Sequence, residues 1–465
     1  MAAQDLSLVA HLMRRAGFGA TTSELEALAK KPYEDVVEDI LHPERFPEVE
    51  RDLLDRYLSE LHATMPVLVG IWLYRMVNTR RPLEEKIALF WHHVFATGSA
   101  KVSHPISSHN QVESFRRKGL SRLNELLLDL SQDPAMIFWL DNSENHKDEV
   151  NENYGRELLE LFSMGVGNYS EDDIKNCARA FTGWTFTQPI PIYPQGDFPS
   201  EFEYRDWDHD NSVKTFLGET GRLDGKDIID IIVKQPATAR FVSRHLYNFF
   251  VADEPQVPAW NDLPPQDPEA VDALTKAFQD SDGEIRSVLR VLFNSDAFKQ
   301  ARHKRVKCPA ELVAGVLKLA GTHTEPNTGL IDVGVATNAM GQELFNPPTV
   351  EGWHTGKEWI DGGALNERIN FAVNELDDVT KPGIRKIVDR LASEDVSLAP
   401  DRFVDKCVEL AGDVNVSNVS RSAMLKSAET GGDLRFDTEE ARNQSSARVG
   451  RMLQLIVSSR EYQFA

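Results

Sequence analysis

Apolar residues recur at helical spacing along most of the chain, and prolines stand where they commonly open helices. The prolines at predicted first turns are Pro66, Pro82, Pro236 and Pro268. The pattern predicts one buried helix over residues 67–77 and a second over residues 83–95. The sequence therefore predicts a mainly α protein, a multi-helical globular bundle with a helix content well above half.

The pattern changes between Trp184 and Gly221, where aromatic and β-branched residues alternate with prolines and glycines. Short runs of this kind occupy residues 185–187, 202–204 and 214–218. Strands are typically built from such runs, bounded by turn residues. A small β-hairpin excursion is therefore expected near residues 184–221.

This excursion divides the chain into three predicted parts. An N-terminal helical region, residues 1–183, carries the candidate polar site, and the β excursion occupies residues 184–222. A C-terminal helical region, residues 223–465, is expected to pack on the first. Within it, residues 412–438 are polar and contain glycine, which predicts an irregular surface segment.

The net charge of the chain argues against partners with a polyanionic surface. The chain has 465 residues and a formal net charge of −22. This charge repels phosphate backbones and anionic lipid headgroups, so neither nucleic acid nor a membrane surface is expected as a partner. Basic pairs such as Arg14 and Arg15 could hold a small anion, and a solvated surface is the other interpretation.

The compartment is inferred from three features of the sequence. The three cysteines are odd in number and far apart, which indicates neither a disulfide framework nor a Cys-rich metal site. The first residues contain an early acid and no basic segment, and no run approaches about 18 apolar residues. We therefore expect a cytoplasmic protein without a membrane span.

The first candidate for chemistry is the helix that follows Pro82. Its apolar residues cover a broad arc, whereas His92 lies on the opposite side, two turns beyond Glu85. Such a histidine could be a metal ligand or a general acid or base oriented by a carboxylate. The alternative is a hydrogen-bonded core histidine, because buried polar groups need partners.

The second candidate is a helix over residues 151–165 with leucines on one side and charges on the other. Spacing of four residues places Arg156 between Glu152 and Glu160, with Glu157 and Asn153 on the same side. Carboxylates held by an arginine stay ionised and could bind a cation or act as a base. A solvated, ion-paired face is the other interpretation.

Two narrow polar stripes on apolar helices are most simply satisfied by facing each other. We therefore expect His92 to lie within one hydrogen bond, or one bridging water or ion, of Glu157 or Glu160.

Other polar clusters give weaker evidence of a functional site than these two helices. His209 and Asp210 lie among further acids in the β excursion and suggest a cation site, although a polar turn explains them as well. Residues 346–354 form a loop of Pro, Gly and Trp that suggests either a pocket wall or a packed turn. The signatures of zincins, serine hydrolases, P-loop proteins and Rossmann dinucleotide sites are missing.

Several motifs together resemble one bacterial family. They are FWHHVFAT at 90–97, NENYGRELLEL at 151–161, ARAFTGW at 178–184, HLMRRAGFG at 11–19, KTFLG at 214–218 and MGQELFNPP at 340–348. On these residues, which span nearly the whole chain, the protein resembles the domain of unknown function 1800 family. His92 is the position that matches the family's histidine, and Val94 stands where a second histidine is frequent.

The family has no settled activity, so the resemblance implies positions and a neighbour, not a mechanism. Its members resemble proteins encoded beside a second family related to alkaline phosphatases and sulfatases, and they often carry export signals. One hypothesis is a hydrolase or other acid/base enzyme that uses the His/Glu/Arg cluster, with a divalent metal ion as a candidate cofactor. The rival hypothesis is a non-catalytic partner or assembly factor for the phosphatase- or sulfatase-like neighbour.

Overall fold

A computed structural model describes residues 6–58, 64–187 and 200–465 of the chain. It is 62% helical, which confirms the prediction of a mainly α protein. The helices of the N-terminal region are α1 Leu6–Arg15, α2 Thr22–Leu28, α3 Tyr33–Leu41, α4 Asp52–Tyr57, α5 Met65–Asn78, α6 Pro82–Val94, α7 Ser99–Val102, α8 Pro105–Lys118, α9 Leu123–Ser131, α10 Pro134–Trp139, α11 Asn153–Glu160 and α12 Glu171–Ala180. Those of the C-terminal region are α13 Gly225–Val233, α14 Pro236–Phe250, α15 Pro268–Asp280, α16 Ile285–Asn294, α17 Asp296–Lys299, α18 Pro309–Ala320, α19 Leu330–Ala339, α20 Gly362–Glu375, α21 Pro382–Glu394, α22 Pro400–Leu410, α23 Asn418–Glu429 and α24 Glu439–Val457.

Helix starts follow local chemistry. Prolines occupy the first turn of α5, α6, α14 and α15, as the sequence predicts, because a first-turn residue needs no amide hydrogen-bond donor. At α2, Thr21 and Glu24 form a capping box in which each side chain accepts from the other residue's backbone amide. Helix α11 is shorter than the predicted 151–165, because the chain leaves the helix after Glu160 and reaches Gly165 in the left-handed conformation at φ +76°.

Within its described residues, the β excursion contains two antiparallel strand pairs. Its strands are β1 Trp184–Phe186, β2 Phe202–Tyr204, β3 Lys214–Phe216 and β4 Glu219–Gly221, paired β1 with β2 and β3 with β4. The part of the predicted excursion at residues 188–199 lies outside the described residues.

One sequence prediction for the C-terminal region is wrong. Residues 412–438 contain α23 and the strand β6 Leu434–Arg435, which pairs with β5 Ser397–Leu398. Met424 and Ala428 are buried on α23, and Val414 and Leu434 are buried on either side of it, so four apolar side chains anchor a segment of largely polar composition.

One large hydrophobic core cluster extends from Leu12 to Tyr462 and includes helices of both helical regions. A small second cluster consists of Val9, Ala10 and Leu25. Helices α5 and α19 approach closely because glycines stand at their contact: a Cβ on Gly70 would lie 3.0 Å from the Leu330 carbonyl oxygen. None of the helices in the described ranges is long and apolar enough to cross a membrane.

A buried carboxylate joins distant parts of this core. Glu311 on α18 accepts hydrogen bonds from Lys86 of α6, from Arg15 of α1 at 3.3 Å and from Arg305 at 3.1 Å. The backbone amide of Cys308 donates to it at 2.7 Å. Burial alone would raise the pKa of Glu311, but the surrounding cations hold that pKa well below its usual range. Burial lowers the pKa of Lys86 to about 8.

Candidate functional site

His92 lies at the C-terminal end of α6 and is buried. Its Nε2 accepts a 3.0 Å hydrogen bond from the backbone amide of Phe345, so the neutral ring carries its proton on Nδ1. Nδ1 has no hydrogen-bond partner among the described residues. The rings of Trp72, Phe345 and Trp353 surround the imidazole at centroid distances of 5.2–5.9 Å.

This environment fixes the charge of His92. Burial lowers its pKa to about 3, and the adjacent His93 adds to the effect, so the ring is neutral at physiological pH. Neither ring nitrogen forms a direct hydrogen bond with Glu157 or Glu160. The alternative form of the expectation, a contact through one bridging water or ion, stays a prediction. The burial of His92 and its hydrogen bond to Phe345 match the alternative interpretation, a hydrogen-bonded histidine in the core.

Glu85 belongs to a separate, buried cluster of charged side chains that does not include His92. Its carboxylate accepts from Arg75 at 2.9 Å, from Arg116 at 2.9 and 3.0 Å, and from the indole of Trp72 at 3.1 Å. Burial alone would raise the pKa of Glu85, but Arg116 and Arg75 outweigh it and keep the pKa low. The predicted line from Glu85 to His92 therefore runs through Trp72, which touches both residues, and Glu85 stays an ionised structural anchor.

The polar face of α11 differs from its predicted pairing. Arg156 pairs with Glu152 at 3.3 Å, as predicted, but its second partner is Glu171 of α12 at 2.9 Å. Glu160 instead accepts a hydrogen bond from the hydroxyl of Tyr169 at 3.2 Å. The contact with Glu171 was hidden from sequence reasoning because helical spacing describes neighbours on one helix only.

Asn153 has a structural contact. Its side-chain amide donates to the carbonyl oxygen of Leu140 at 3.1 Å, and its backbone amide donates to Asn151 at 3.0 Å. These bonds fix the start of α11 against the end of α10 and leave Asn153 turned to protein partners.

Glu157 is the residue on this face without a protein partner. Its carboxyl is half-buried, and no described residue forms a hydrogen bond with it. Burial raises the pKa of Glu157 to about 7, and the neighbouring carboxylates of Glu160 and Glu351 add to the effect despite the opposing charge of Arg156. Glu157 can therefore gain or lose a proton near neutral pH.

The loop over residues 346–354 connects this face to the end of α6. Phe345, which binds His92, adopts a left-handed φ of +65°. At Gly352, with φ +87°, a Cβ would lie 2.3 Å from the carbonyl oxygen of His93. The backbone amide of Trp353 then donates to the His93 ring at 3.3 Å. The loop is thus held by both histidines.

Glu351 belongs to this same loop, and sequence reasoning did not select it. Through its charge, Glu351 adds to the raised pKa of Glu157. The Pro/Gly/Trp composition of residues 346–354 was the available signal, because it suggested a pocket wall.

The predicted cation site at His209 and Asp210 has protein partners. The Nδ1 of His209 donates to the carbonyl oxygen of Thr182 at 2.8 Å. Asp210 pairs with Arg179 at 2.7 Å and accepts from the Ser212 amide at 2.8 Å. Across residues 6–58, 64–187 and 200–465, no group of three or more His, Cys, Asp or Glu side chains has an arrangement that could hold a metal ion.

Comparison with known proteins places the chain in a family. A family model described as "Protein of unknown function (DUF1800)" matches residues 11–464. No curated protein and no solved structure matches the chain. Because the family model covers nearly the entire sequence, this chain belongs to the DUF1800 family.

Proposed function

We propose that the protein is an acid/base enzyme of the hydrolase type and that Glu157 exchanges the proton. The observation that carries the proposal is the half-buried carboxyl of Glu157, which has no hydrogen-bond partner among the described residues and whose pKa is raised by burial and by the charges of two other carboxylates. A structural carboxylate usually has protein donors, as Glu85 has. The carboxyl oxygens of Glu157 are instead free to form hydrogen bonds with a substrate.

The neighbours of Glu157 support this role. A general acid or base works best when its pKa is close to the operating pH, and burial, together with repulsion from Glu160 and Glu351, raises the pKa of Glu157 towards neutrality. The Tyr169 hydroxyl fixes Glu160 by a hydrogen bond. In such a group of carboxyls, the protonated Glu157 donates a proton while a second carboxyl activates a water molecule.

His92 has a positioning role in this proposal. It binds the backbone amide of Phe345 and so holds the start of the loop that carries Glu351. Its neutral, buried ring does not exchange protons near pH 7.

Activity measurements on matched variants test the proposal. Purified protein is assayed with p-nitrophenyl esters, phosphates and sulfates, and Glu157→Gln is compared with Glu367→Gln, which changes an exposed glutamate on α20. Loss of general acid/base catalysis lowers turnover by about 100-fold or more, and the control keeps wild-type turnover. Turnover of Glu157→Gln equal to that of the wild type would reject Glu157 as the proton-exchanging group.

One surface supports a second candidate function, that of a partner for another protein. In the β excursion Trp207 is 68% exposed, Val213 59% and Tyr204 46%. Exposed aromatic residues are typical anchors of protein interfaces. We propose the phosphatase- or sulfatase-like neighbour implied by the family resemblance as the protein that binds this surface.

A binding assay with that purified neighbour tests the second candidate. Trp207→Ser should weaken the complex by about tenfold or more, because a buried aromatic anchor is commonly worth 2 kcal/mol or more. Val419→Ser is the control, since Val419 is 81% exposed on α23, in a different part of the chain. Equal affinity of the Trp207→Ser variant and the wild type would remove this surface from consideration.

A further inference from the structure

A cavity of about 310 Å³ lies between the two ends of the described chain. Its walls come from α1, the segment before α2, α18, α21 and the segments around residues 410–414 and 462–465. Its volume is at the lower end of the roughly 300–1,000 Å³ typical of small-molecule sites. None of the residues of the Glu157 face lines it, so it is a separate site.

The charge of the cavity wall is opposite in sign to that of the whole protein. Its basic lining residues are Arg14, Lys307, Lys318, Lys386 and Arg390, and its acidic ones are Glu26 and Glu311. Glu26 is paired with Arg390 at 2.9 Å. Glu311 is surrounded by its own cations, Lys86, Arg15 and Arg305. Burial lowers the pKa of Lys307 well below its usual range and also lowers that of Lys318, so Arg14 and Lys386 carry most of the positive charge of the wall in a chain of net charge −22.

Arg14 supplies the most specific feature. Its Nη1 donates to the carbonyl oxygen of Gly412 at 2.6 Å, whereas Nε and Nη2 are buried and have no acceptor among the described residues. These two nitrogens form one edge of the guanidinium group, which matches the two oxygens of a carboxylate or a phosphate. Asp413 lies near enough to act on the charge of Arg14 but forms no hydrogen bond with it.

Apart from the hydroxyl residues Thr21, Thr22 and Ser23, much of the remaining wall is apolar. Five of its residues are Phe18, Leu319, Ile387, Leu410 and Tyr462. His303 also lines the cavity, and its Nδ1 is a second buried polar atom without a hydrogen-bond partner among the described residues. A ligand that matches this wall has an acidic group at one end and an apolar body at the other.

We infer that this cavity binds a small organic anion, with two acidic oxygens on the Nε/Nη2 edge of Arg14 and an apolar body along Phe18, Leu319 and Ile387. The two unpaired donors and the positive wall favour the acidic group. An apolar body lying on these residues removes their surface from water, which stabilises the complex. A carboxylate and a phosphate ester share this chemistry, and the experiment distinguishes them.

Isothermal titration calorimetry with octanoate, octyl phosphate and octanol tests the inference on the full-length chain at pH 7. We expect saturable binding of at least one of the two anions with one site per chain, and binding of octanol at least about tenfold weaker. Arg14→Gln removes the charge and should weaken anion binding by about tenfold to a hundredfold, the usual effect of losing charge-assisted hydrogen bonds. Arg451→Gln, which removes an exposed arginine on α24 outside the cavity, should bind as the wild type does.

A second variant keeps the test independent of Arg14. Gly315 lines the cavity within α18, and a Cβ there would meet only the carbonyl oxygen of Phe18, at 3.7 Å. Gly315→Leu therefore fills the cavity, and it also replaces a poor helix former with a good one. We expect it to lose anion binding by at least about tenfold without a lower melting temperature.

Each possible result decides the inference. If octyl phosphate binds more tightly than octanoate, the anion is a phosphate ester, and the reverse order identifies a carboxylate. If octanol binds as tightly as both anions, or if Arg14→Gln and Gly315→Leu bind them as the wild type does, the inference is wrong. Absence of binding by both anions to the wild type also overturns it.

Discussion

The proton equilibrium of Glu157 predicts how the stability of the protein depends on pH. Its pKa rises from 4.5 in the unfolded chain to about 7 in the folded protein, so folding favours the protonated form. The stability contributed by that proton is fully present below pH 4.5 and is lost as the pH rises to about 7. A difference of about 2.5 in pKa corresponds to about 3.4 kcal/mol. Because the carboxyl is half-buried and partly screened by solvent, we expect its protonation to contribute only about 1–2 kcal/mol to the free energy of unfolding.

Glu157→Gln isolates this contribution, because glutamine has the shape of a protonated glutamate and does not ionise. Urea unfolding is measured for wild type and variant at pH 5 and at pH 8.5. The wild type should lose about 1–2 kcal/mol more than the variant between these two values. Glu367→Gln, which changes an exposed glutamate, should lose the same amount as the wild type. Equal losses for Glu157→Gln and the wild type would refute the raised pKa and, with it, the basis of the proposed catalytic role.

Three further predictions concern stability, each measured by urea unfolding at pH 7. Glu311→Gln should lower the free energy of unfolding by about 3–5 kcal/mol, because it leaves buried cations without their counter-charge; a loss below about 1 kcal/mol would contradict the burial of that cluster. His92→Phe should cost about 1–3 kcal/mol, since the backbone amide of Phe345 loses its acceptor. Gly383→Ala should cost about 1–3 kcal/mol, because its Cβ would lie 2.0 Å from the carbonyl oxygen of Leu319; an unchanged stability would show that α18 and α21 separate easily.

Much of the fold follows from patterns that act within one element. Prolines mark the starts of α5, α6, α14 and α15, and a four-residue capping box marks α2, so these starts are readable in the sequence. The stretch containing α23 lacks such a pattern, because it is largely polar and is anchored by tertiary burial of Val414, Met424, Ala428 and Leu434.

The candidate site depends on contacts between elements, which helical spacing does not encode. The polar side of α6 was predicted, yet the partners of Glu85 are Arg75 on α5 and Arg116 on α8. The basic pair at the end of α1 illustrates the same limit. Arg15 is buried against Glu311, 296 residues away, so the solvated-surface interpretation is wrong for it.

The late position of Glu311 in the chain also determines when helices α1 and α6 can pack during synthesis on the ribosome. Lys86 emerges 225 residues before Glu311. At about 5–20 residues per second this separation corresponds to roughly 10–45 s. During that interval Lys86 and Arg15 have no counter-charge from Glu311, so burying them would be costly. We therefore expect nascent chains that end before residue 311 to keep α1 and α6 undocked and open to chaperones, and the core to close only in the final third of translation.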